Sequence, residues 1–350
     1  MNIIKTIFLV ALSGILFMSC NNNNNDIDLP KGDYENGILI TNEGAFSGGT
    51  GTVDYISDDY LTEESSIYSN VNGENIGTVL QSIGFNGDDA YLIANVGNKI
   101  SMADRYTMEK ITEITDGLSN PRYIAFANGK GYVTNWGEGI DTTDDYIAVI
   151  DLASNIISTT ISVAEGPEQV VANGNTLYVS HKGGWGSGNT VSVIDTSTDT
   201  LISTINVGNV PDEMIIDNSG NLLVSCEGSK WSTPELLGSL VTVNTSSNTV
   251  STTLDYVAGF HPNNLVLSDT TIYLSTSSDI YTMSESATEI PISPIISATI
   301  SAMSVNDGEI YVTDVKDYVS NGTLTIFDKA TGDQLKEFTV GLIPSKVYFN

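Results

Sequence analysis

The side chains best suited to hold another molecule lie in short polar segments between apolar runs. All three tryptophans and both histidines of the 350-residue chain fall in these segments, with six of its 13 Lys and Arg residues. Tryptophan offers a large apolar surface and one N–H donor, so it is favoured where a ligand or partner is held. The mixture of aromatic, amide and cationic groups suits a bulky polar molecule with anionic or π character. The candidate binding residues are Phe46, Arg122, Trp136, Gln169, His181, Lys182, Trp185, Trp231, Asn263 and Lys346.

Each candidate also has a purely structural interpretation, and the sequence leaves both open. A loop tryptophan can pack over the strands below it as a lid on the core. Arg122 can stabilise the rim of a fold without touching a ligand. Lys182, Lys230 and Lys316 can balance neighbouring Asp and Glu residues, which are abundant in this chain.

No catalytic site is predicted from the sequence. His181 and His261 are the only histidines, and two histidines in different segments do not form a polyhistidine metal centre. Either could act as a lone general base, but no nucleophile or orienting partner stands out. The acidic run from Glu138 to Asp145 could hold Ca²⁺ through oxygen ligands, although a solvated acidic turn is the favoured interpretation. We therefore predict a non-enzymatic protein with no cofactor, with Ca²⁺ as a weak alternative.

The elements that must position these residues form a repeat. The segment from Pro121 to Pro167 contains four short runs rich in β-branched and aromatic residues, each closed by turn residues, as expected for strands. A second copy starts at Pro167. Its second strand, Tyr178-Val179-Ser180-His181, matches Tyr132-Val133-Thr134-Asn135 in the first copy. Self-similarity of this kind indicates a repeat architecture.

Seven copies of that second strand occur, at a period of about 40–50 residues, which is typical of four-stranded propeller blades. They begin at Gly37, Tyr91, Tyr132, Tyr178, Leu223, Tyr273 and Tyr311. The predicted fold is an all-β, seven-bladed propeller over residues 37–350. The chain begins with a second strand and ends with a first strand at residues 344–350. We therefore expect the C-terminal strand to be innermost in a blade completed by the N-terminal strands, a closure that leaves no open sheet edge.

Propeller topology explains how distant residues could form one site. The loops between successive blades, and those between the second and third strands within a blade, lie on one face around a central channel. The ten candidate residues all fall in these two sets of loops. The sequence therefore predicts a binding site on this face.

The N-terminus is predicted to target the protein for export. Residues 1–19 contain a positive charge at Lys5, an apolar run, and Phe17-Met18-Ser19-Cys20, which resembles a lipoprotein signal-peptidase box. Cys20 is then the lipidated residue, and residues 20–36 are an Asn-rich flexible tether. An ordinary cleaved secretory peptide is the alternative.

Composition narrows the choice of partners. The chain has 43 Asp and Glu residues and a formal net charge of −30, which disfavours nucleic acid because phosphate binding needs a basic surface. Cys226 is the single cysteine beyond Cys20, so no disulfide within the exported chain is expected, and we expect a buried, inert thiol. Membrane contact is expected through the lipid anchor only.

The repeated pattern resembles the YVTN (YncE-like) seven-bladed propeller family. That pattern is Pro-x-x-(Val/Ile)-Ala, then Tyr-Val-x-Asn, then Val-x-Val-Ile-Asp, and residues 132–135 carry the signature itself. The layout of an acidic, Asn-rich lipoprotein ending in Gly341-Leu342-Ile343-Pro344 also resembles surface lipoprotein propellers of Bacteroidetes. This second resemblance implies a protein exposed on the outer membrane. Some of those propellers capture cobalamin above a TonB-dependent transporter, so the resemblance also implies this function.

These observations give one leading hypothesis and two alternatives. The leading hypothesis is a monomeric, surface-anchored protein that binds a bulky polar small molecule, with cobalamin as a specific candidate, and passes it to a TonB-dependent transporter. The first alternative is a platform that binds a protein or a glycan through the same face. The second is a hydrolase or lyase with a metal in the channel. A location on the periplasmic side of the outer membrane also stays open.

Overall fold

The computed structural model describes residues 30–350. The predicted signal peptide at 1–19, the predicted lipidation of Cys20 and most of the predicted tether lie outside the described residues. The described chain forms seven four-stranded antiparallel sheets arranged as the blades of a propeller, so the predicted fold is confirmed. In the part of the chain that the structure describes, no helix is long and apolar enough to cross a membrane.

The strands follow one another from the channel outwards in each blade, except in blade 1. Blade 1 contains β28 (Pro344–Phe349), β1 (Gly37–Asn42), β2 (Thr52–Ser57) and β3 (Glu63–Glu64), followed by the short helix α1 (Ile67–Asn72). Blade 2 contains β4 (Leu80–Asn86), β5 (Asp89–Ala94), β6 (Lys99–Asp104) and β7 (Lys110–Ile114). Blade 3 contains β8 (Pro121–Ala127), β9 (Lys130–Asn135), β10 (Tyr146–Asp151) and β11 (Ile156–Ser162).

The remaining four blades repeat this order. Blade 4 contains β12 (Pro167–Asn173), β13 (Thr176–His181), β14 (Thr190–Asp195) and β15 (Thr200–Asn206), and blade 5 contains β16 (Pro211–Ile216), β17 (Leu222–Cys226), β18 (Ser239–Asn244) and β19 (Thr249–Asp255). Blade 6 contains β20 (Asn264–Ser268), β21 (Thr271–Ser275), β22 (Asp279–Ser284) and β23 (Ile296–Ser297). Blade 7 contains β24 (Ala302–Asn306), β25 (Glu309–Asp314), β26 (Asn321–Asp328) and β27 (Gln334–Leu342).

The ring closes in blade 1, as predicted. β28 pairs antiparallel with β1, with Ile38 opposite Phe349 and Ile40 opposite Val347. The hydroxyl of Tyr348 accepts a hydrogen bond from the backbone N–H of Ile83 in blade 2, at 2.9 Å. The last strand is therefore held both by its own blade and by the next one.

The apolar core lies between blades. Each of its seven clusters joins residues of two neighbouring blades, as where Val191 and Val193 of blade 4 pack with Met214 and Val224 of blade 5. Strand side chains alternate between the two faces of a sheet, so each blade buries one set of residues against each neighbour. This pairing of blades produces the ring.

In blades 3 and 4, polar side chains of the second strand tie the blade to the next one. In blade 3 the hydroxyl of Tyr132 donates to Asp199 Oδ1 at 2.7 Å, and Thr134 Oγ1 donates to the carbonyl of Glu168 at 2.8 Å. Both acceptors belong to blade 4. Ser180 of blade 4 makes the corresponding bond to the carbonyl of Asp212 in blade 5, at 2.9 Å. The signature is therefore a set of contacts between blades.

The packed domain begins earlier than the predicted tether ends. One compact unit covers Lys31–Asn350. Tyr34 is buried, and its ring packs edge-on against Tyr55 at 5.1 Å between centroids. The amide of Asn350 donates to the carbonyl of Tyr34 at 2.6 Å. The last residues of the predicted tether therefore belong to the propeller.

Candidate functional site

The candidate site starts at three bulges in innermost strands. In β8, β12 and β16 the pairing with the second strand skips two residues after the first proline. A proline cannot donate to the ladder, and a bulge re-aims the side chains it contains. The skipped residues are Arg122 with Tyr123, Glu168 with Gln169, and Asp212 with Glu213.

The penultimate residue of the second strand supports two of these bulges, those in blades 3 and 4. Thr134 Oγ1 accepts the backbone N–H of Tyr123 at 3.0 Å, and Ser180 Oγ accepts that of Gln169 at 3.1 Å. These N–H groups have lost their place in the ladder, and a buried N–H without a partner is costly. The signature hydroxyls therefore make the bulges stable and hold the site residues in position.

A cavity of about 390 Å³ lies at the mouth of the channel. We call it the mouth cavity. Its volume is in the range of small-molecule sites. One part of its wall is charged and comes from Glu43, Glu168, Lys182, Asp212, Glu213, Glu227 and Lys346. Another part is apolar or aromatic and includes Tyr123, Ile300, Val315, Tyr318, Ile343 and Pro344.

Arg122 is committed to a contact within the protein. Its Nε and Nη2 donate to the two oxygens of Glu168 at 3.0 and 2.7 Å. Its guanidinium lies over the ring of Trp136, 4.2 Å from the centroid. The indole N–H of Trp136 donates to the carbonyl of Pro167 at 3.0 Å. The bidentate pair and the stacked ring make Arg122 and Trp136 a structural unit at the cavity wall.

Lys182 is shared by two carboxylates of blade 5. Its Nζ lies 2.6 Å from Asp212 Oδ2 and 2.9 Å from Glu227 Oε1. Burial and the neighbouring Asp212 raise the pKa of Glu227 to about 8, against the pull of Lys182. Burial acts most strongly and would raise the pKa of Asp212, but Lys182, a hydrogen bond with Glu227 and Lys346 together lower that pKa to about 2. One lysine therefore neutralises one carboxylate of the pair and leaves the other with a raised pKa.

A third ion pair crosses the channel. Lys346 of blade 1 reaches Glu213 of blade 5, with 2.7 Å between Nζ and Oε1. The side-chain amide of Gln169 donates to the other oxygen of Glu213, and Gln169 Oε1 accepts the backbone N–H of Met214 at 2.9 Å. This network spans blades 1, 4 and 5, and it forms the floor of the mouth cavity.

Glu43 differs from the other acids of the cavity. Among the described residues 30–350, its carboxylate makes no hydrogen bond or ion pair. Burial raises the pKa of Glu43, opposed by Arg122 and helped by Glu168. Glu43 follows β1 directly and lines the mouth cavity, so its carboxylate is available to a bound molecule.

A second cavity, of about 330 Å³, adjoins the first. It contains Trp231 and His261 and shares Glu227, Asn263 and Ser277 with the mouth cavity. Trp231 is 85% exposed and Trp185 is 78% exposed, while the ring of Trp185 contacts Trp136 edge-on at 6.1 Å between centroids. The two exposed indoles can therefore meet a molecule that extends out of the mouth cavity.

Two of the predicted binding residues lie elsewhere. His181 is 1% exposed, and its Nε2 is 2.8 Å from Ser192 Oγ. Burial lowers the pKa of His181 to about 4, so this histidine belongs to the blade core. Phe46 is exposed in the loop between β1 and β2 but does not line either cavity. Lys182, Trp231, Asn263 and Lys346 line the two cavities, and Arg122 and Gln169 pair with the lining residues Glu168 and Glu213. Trp136 and Trp185 line neither cavity and are linked to them through Arg122.

Cys226 and the acidic loop from Glu138 to Asp145 are held by contacts within the protein. Cys226 is fully buried, and burial raises the pKa of its thiol to about 12. In the acidic loop, Asp144 Oδ2 accepts the N–H of Glu138 at 2.8 Å and Asp141 Oδ1 accepts that of Thr143 at 2.9 Å. Within residues 30–350, no three His, Cys, Asp or Glu side chains are placed to hold a metal ion.

The predicted set of binding residues lacked the carboxylates. Glu43, Lys182 and Glu227 each directly follow a second strand, and Glu168 and Asp212 each follow the proline that opens a first strand. These two positions recur in the repeat, so aligning the copies would have identified the acids. Cations are scarce in this chain, so their presence in the loops was the stronger sign of a site, whereas acidic residues are abundant throughout.

Three of the solved structures with the same fold come from bacteria of the genus Bacteroides. A quinonprotein alcohol dehydrogenase-like protein from Bacteroides thetaiotaomicron is 16% identical, with a TM-score of 0.66 over 90% of this chain and 78% of that chain. A putative 6-phosphogluconolactonase from Bacteroides fragilis is 11% identical, with a TM-score of 0.65 over 92% of this chain and 100% of that one. A second, from Bacteroides uniformis, is also 11% identical, with a TM-score of 0.64, and covers 90% and 100%. At these identities the similarity shows the fold.

Comparison by sequence gives a family. No curated protein matches the chain. Residues 36–257, more than half of the chain, match the model of a family described as a domain of unknown function. The chain therefore belongs to the DUF5074 family, as a member with the structure of a seven-bladed β-propeller.

Proposed function

We propose that this protein is a non-enzymatic binding protein that holds a bulky polar small molecule at the mouth of its channel. The observation that carries the proposal is the mouth cavity of about 390 Å³, lined by charged groups on one part and by apolar groups on another. A ligand larger than this cavity would extend over Trp231 and Trp185, which are exposed beside it. Concave sites with a few converging polar groups are the usual form of small-molecule sites.

The setting that we propose is the surface of the outer membrane. The signal-peptide pattern of residues 1–19 and the cysteine at position 20 support an exported lipoprotein. The resemblance to surface propellers of Bacteroidetes supports a TonB-dependent transporter as partner and a corrinoid as the first ligand to test. A monomeric propeller fits this arrangement, because the mouth face would then be free to meet the transporter.

A glycan is a second candidate ligand. Trp231 presents a flat apolar surface in the second cavity, which Glu227 also lines, and Trp185 is exposed directly before Gly186 of that cavity. A sugar ring can stack on an indole through its C–H groups while its hydroxyls donate to carboxylates. The same face would then serve as an adhesion platform, the alternative already indicated by the sequence.

Calorimetric titration with cyanocobalamin and with a maltooligosaccharide tests the proposal. We expect one of them to bind, and we expect Trp231→Ala to weaken that binding about tenfold or more, since buried aromatic contacts often contribute 2 kcal/mol or more (about thirtyfold). Ile292→Ala is the matched control, because Ile292 is exposed in the loop between β22 and β23, outside both cavities. Equal binding by the two variants would contradict a site at the mouth.

A further inference from the structure

The charges of the mouth cavity do not balance. Five carboxylates line it, and three cations contact them. Arg122 pairs with Glu168, and Lys346 pairs with Glu213. Lys182 is divided between Asp212 and Glu227, and no cation in the described chain pairs with Glu43. Glu43 is therefore left without a counterion of its own, while Glu227 shares Lys182 with Asp212.

The placement of these carboxylates is suited to an organic cation. Among residues 30–350, no three His, Cys, Asp or Glu side chains are placed around a single ion. The acids come mainly from blades 4 and 5, whereas Ile300, Val315 and Tyr318 come from the blade 7 side of the same cavity. A cation that carries an apolar body could place its charge near the acids and its hydrocarbon over the blade 7 side. A bare metal ion would leave the apolar wall unused.

The aromatic groups of the cavity favour the same class of ligand. The ring of Tyr123 already receives a cation, because Lys346 Nζ lies 5.6 Å from its centroid. Tyr318 lines the cavity and is largely exposed. Cations are attracted to the faces of aromatic rings, and exposed rings beside carboxylates are a common recognition arrangement for alkylammonium groups.

We propose that the mouth cavity recognises a protonated amine or guanidinium group on an apolar body, with Glu43 as its charged contact. This inference rests on the proposed function, because it names the chemical group that the ligand places in the mouth cavity. It reverses the anionic character expected from the sequence, since the cations of the cavity are already paired. The group could belong to a free small molecule or to a Lys or Arg side chain of another protein.

Titration with cadaverine and with the diol of the same chain length tests the proposal. Cadaverine is expected to bind, and the diol is not. Raising the salt concentration should weaken the binding of cadaverine, because a partly exposed ion pair is screened by salt. Blocked tetrapeptides Gly-Gly-Arg-Gly and Gly-Gly-Gln-Gly test whether the cation belongs to a side chain of another protein. Binding of the arginine peptide alone would assign the cation to a partner protein.

The variant Glu43→Gln keeps the shape of the side chain and removes its charge. We expect it to weaken cadaverine or the arginine peptide about tenfold or more, as is typical for loss of a charge-assisted hydrogen bond. Glu337→Gln is the charge-matched control, because Glu337 is exposed on the outer strand β27. Failure of both cations to bind at millimolar concentration, or equal effects of the two variants, would overturn the proposal.

The outcome also separates this inference from the proposed function. If cyanocobalamin or the oligosaccharide binds at the mouth while the cations do not, the binding function stands and the preference for a cation is wrong. If no member of the whole panel binds, both are wrong.

Discussion

Glu227 lines both cavities. Its side chain contacts Lys182 at 2.9 Å, and its backbone carbonyl lies 2.6 Å from His261 Nδ1. The pKa of Glu227 is raised to about 8, first by burial and then by Asp212. A carboxyl of this kind is protonated in the folded protein at a pH where the unfolded chain has lost the proton.

The stability of the protein should therefore depend on Glu227 above its ordinary pKa of 4.5. Below that pH the carboxyl is protonated in both states. Between about 4.5 and 8 the folded chain keeps a proton that the unfolded chain releases, so the free energy of unfolding falls as the pH rises. We expect Glu227→Gln to remove about 1–2 kcal/mol of this fall, allowing for the partial exposure of the group and for Lys182.

Urea denaturation of the wild type and of Glu227→Gln at pH values on both sides of this window measures the effect. As the pH rises, the free energy of unfolding of the wild type should fall more than that of Glu227→Gln. Glu337→Gln should follow the wild type, because Glu337 is exposed on an outer strand. Parallel pH profiles for the wild type and Glu227→Gln would contradict a raised pKa.

The residues predicted from the sequence include four that line the two cavities, Lys182, Trp231, Asn263 and Lys346, but none of the carboxylates there. His181 and Cys226 occupy the same position, the last residue of a second strand, and both are buried. The position that predicted a buried thiol at Cys226 thus also indicated a buried imidazole. The pairing of Lys182 with Asp212 could not be predicted, since it depends on how blade 4 is rotated against blade 5. The sequence pattern of one repeat predicts its strands and turns, but it does not predict which side chains meet across two repeats.

At the scale of elements, β28 determines whether the ring is complete. It pairs with β1, and Val347 is buried in the cluster between blades 7 and 1. Arg105 of blade 2 donates to the carbonyl of Phe349 at 2.7 Å. This closure was predicted from the phase of the repeat, because the chain begins with a second strand and ends with a first strand. The strands β3 and β23 were less evident, since each contains only two residues, too few for an alternating pattern.

A charge placed in β28 should open the ring. We expect Val347→Asp to lower the free energy of unfolding by about 3 kcal/mol or more, because it buries an unpaired carboxylate in an apolar cluster. The melting temperature should fall strongly as a result. Leu335→Asp on the outer strand β27 introduces the same charge at an exposed position and should change the melting temperature little. Similar melting temperatures for the two variants, measured by circular dichroism, would contradict the role of β28.

At the scale of the whole molecule, both the charge and the exposed apolar residues favour the mouth face as the binding face. The chain has a formal net charge of −30, so its long-range field attracts cations and repels anions. The mouth cavity adds the unpaired carboxylate of Glu43. Loops between second and third strands carry the exposed apolar residues Phe46, Ile140, Trp185, Trp231 and Val319. Exposed apolar groups of this kind are a feature of interaction surfaces.

The central claim is that molecules bind at this mouth face. Hydrogen exchange with and without cyanocobalamin, cadaverine and a maltooligosaccharide tests it most directly, because bound ligand slows exchange where it contacts the chain. We predict that at least one ligand slows exchange in residues 43–51, 182–189 and 227–238, which are mouth-face loops, and leaves residues 285–295 unchanged. Slower exchange confined to residues 285–295, or none in the mouth-face loops with any ligand, would contradict the claim.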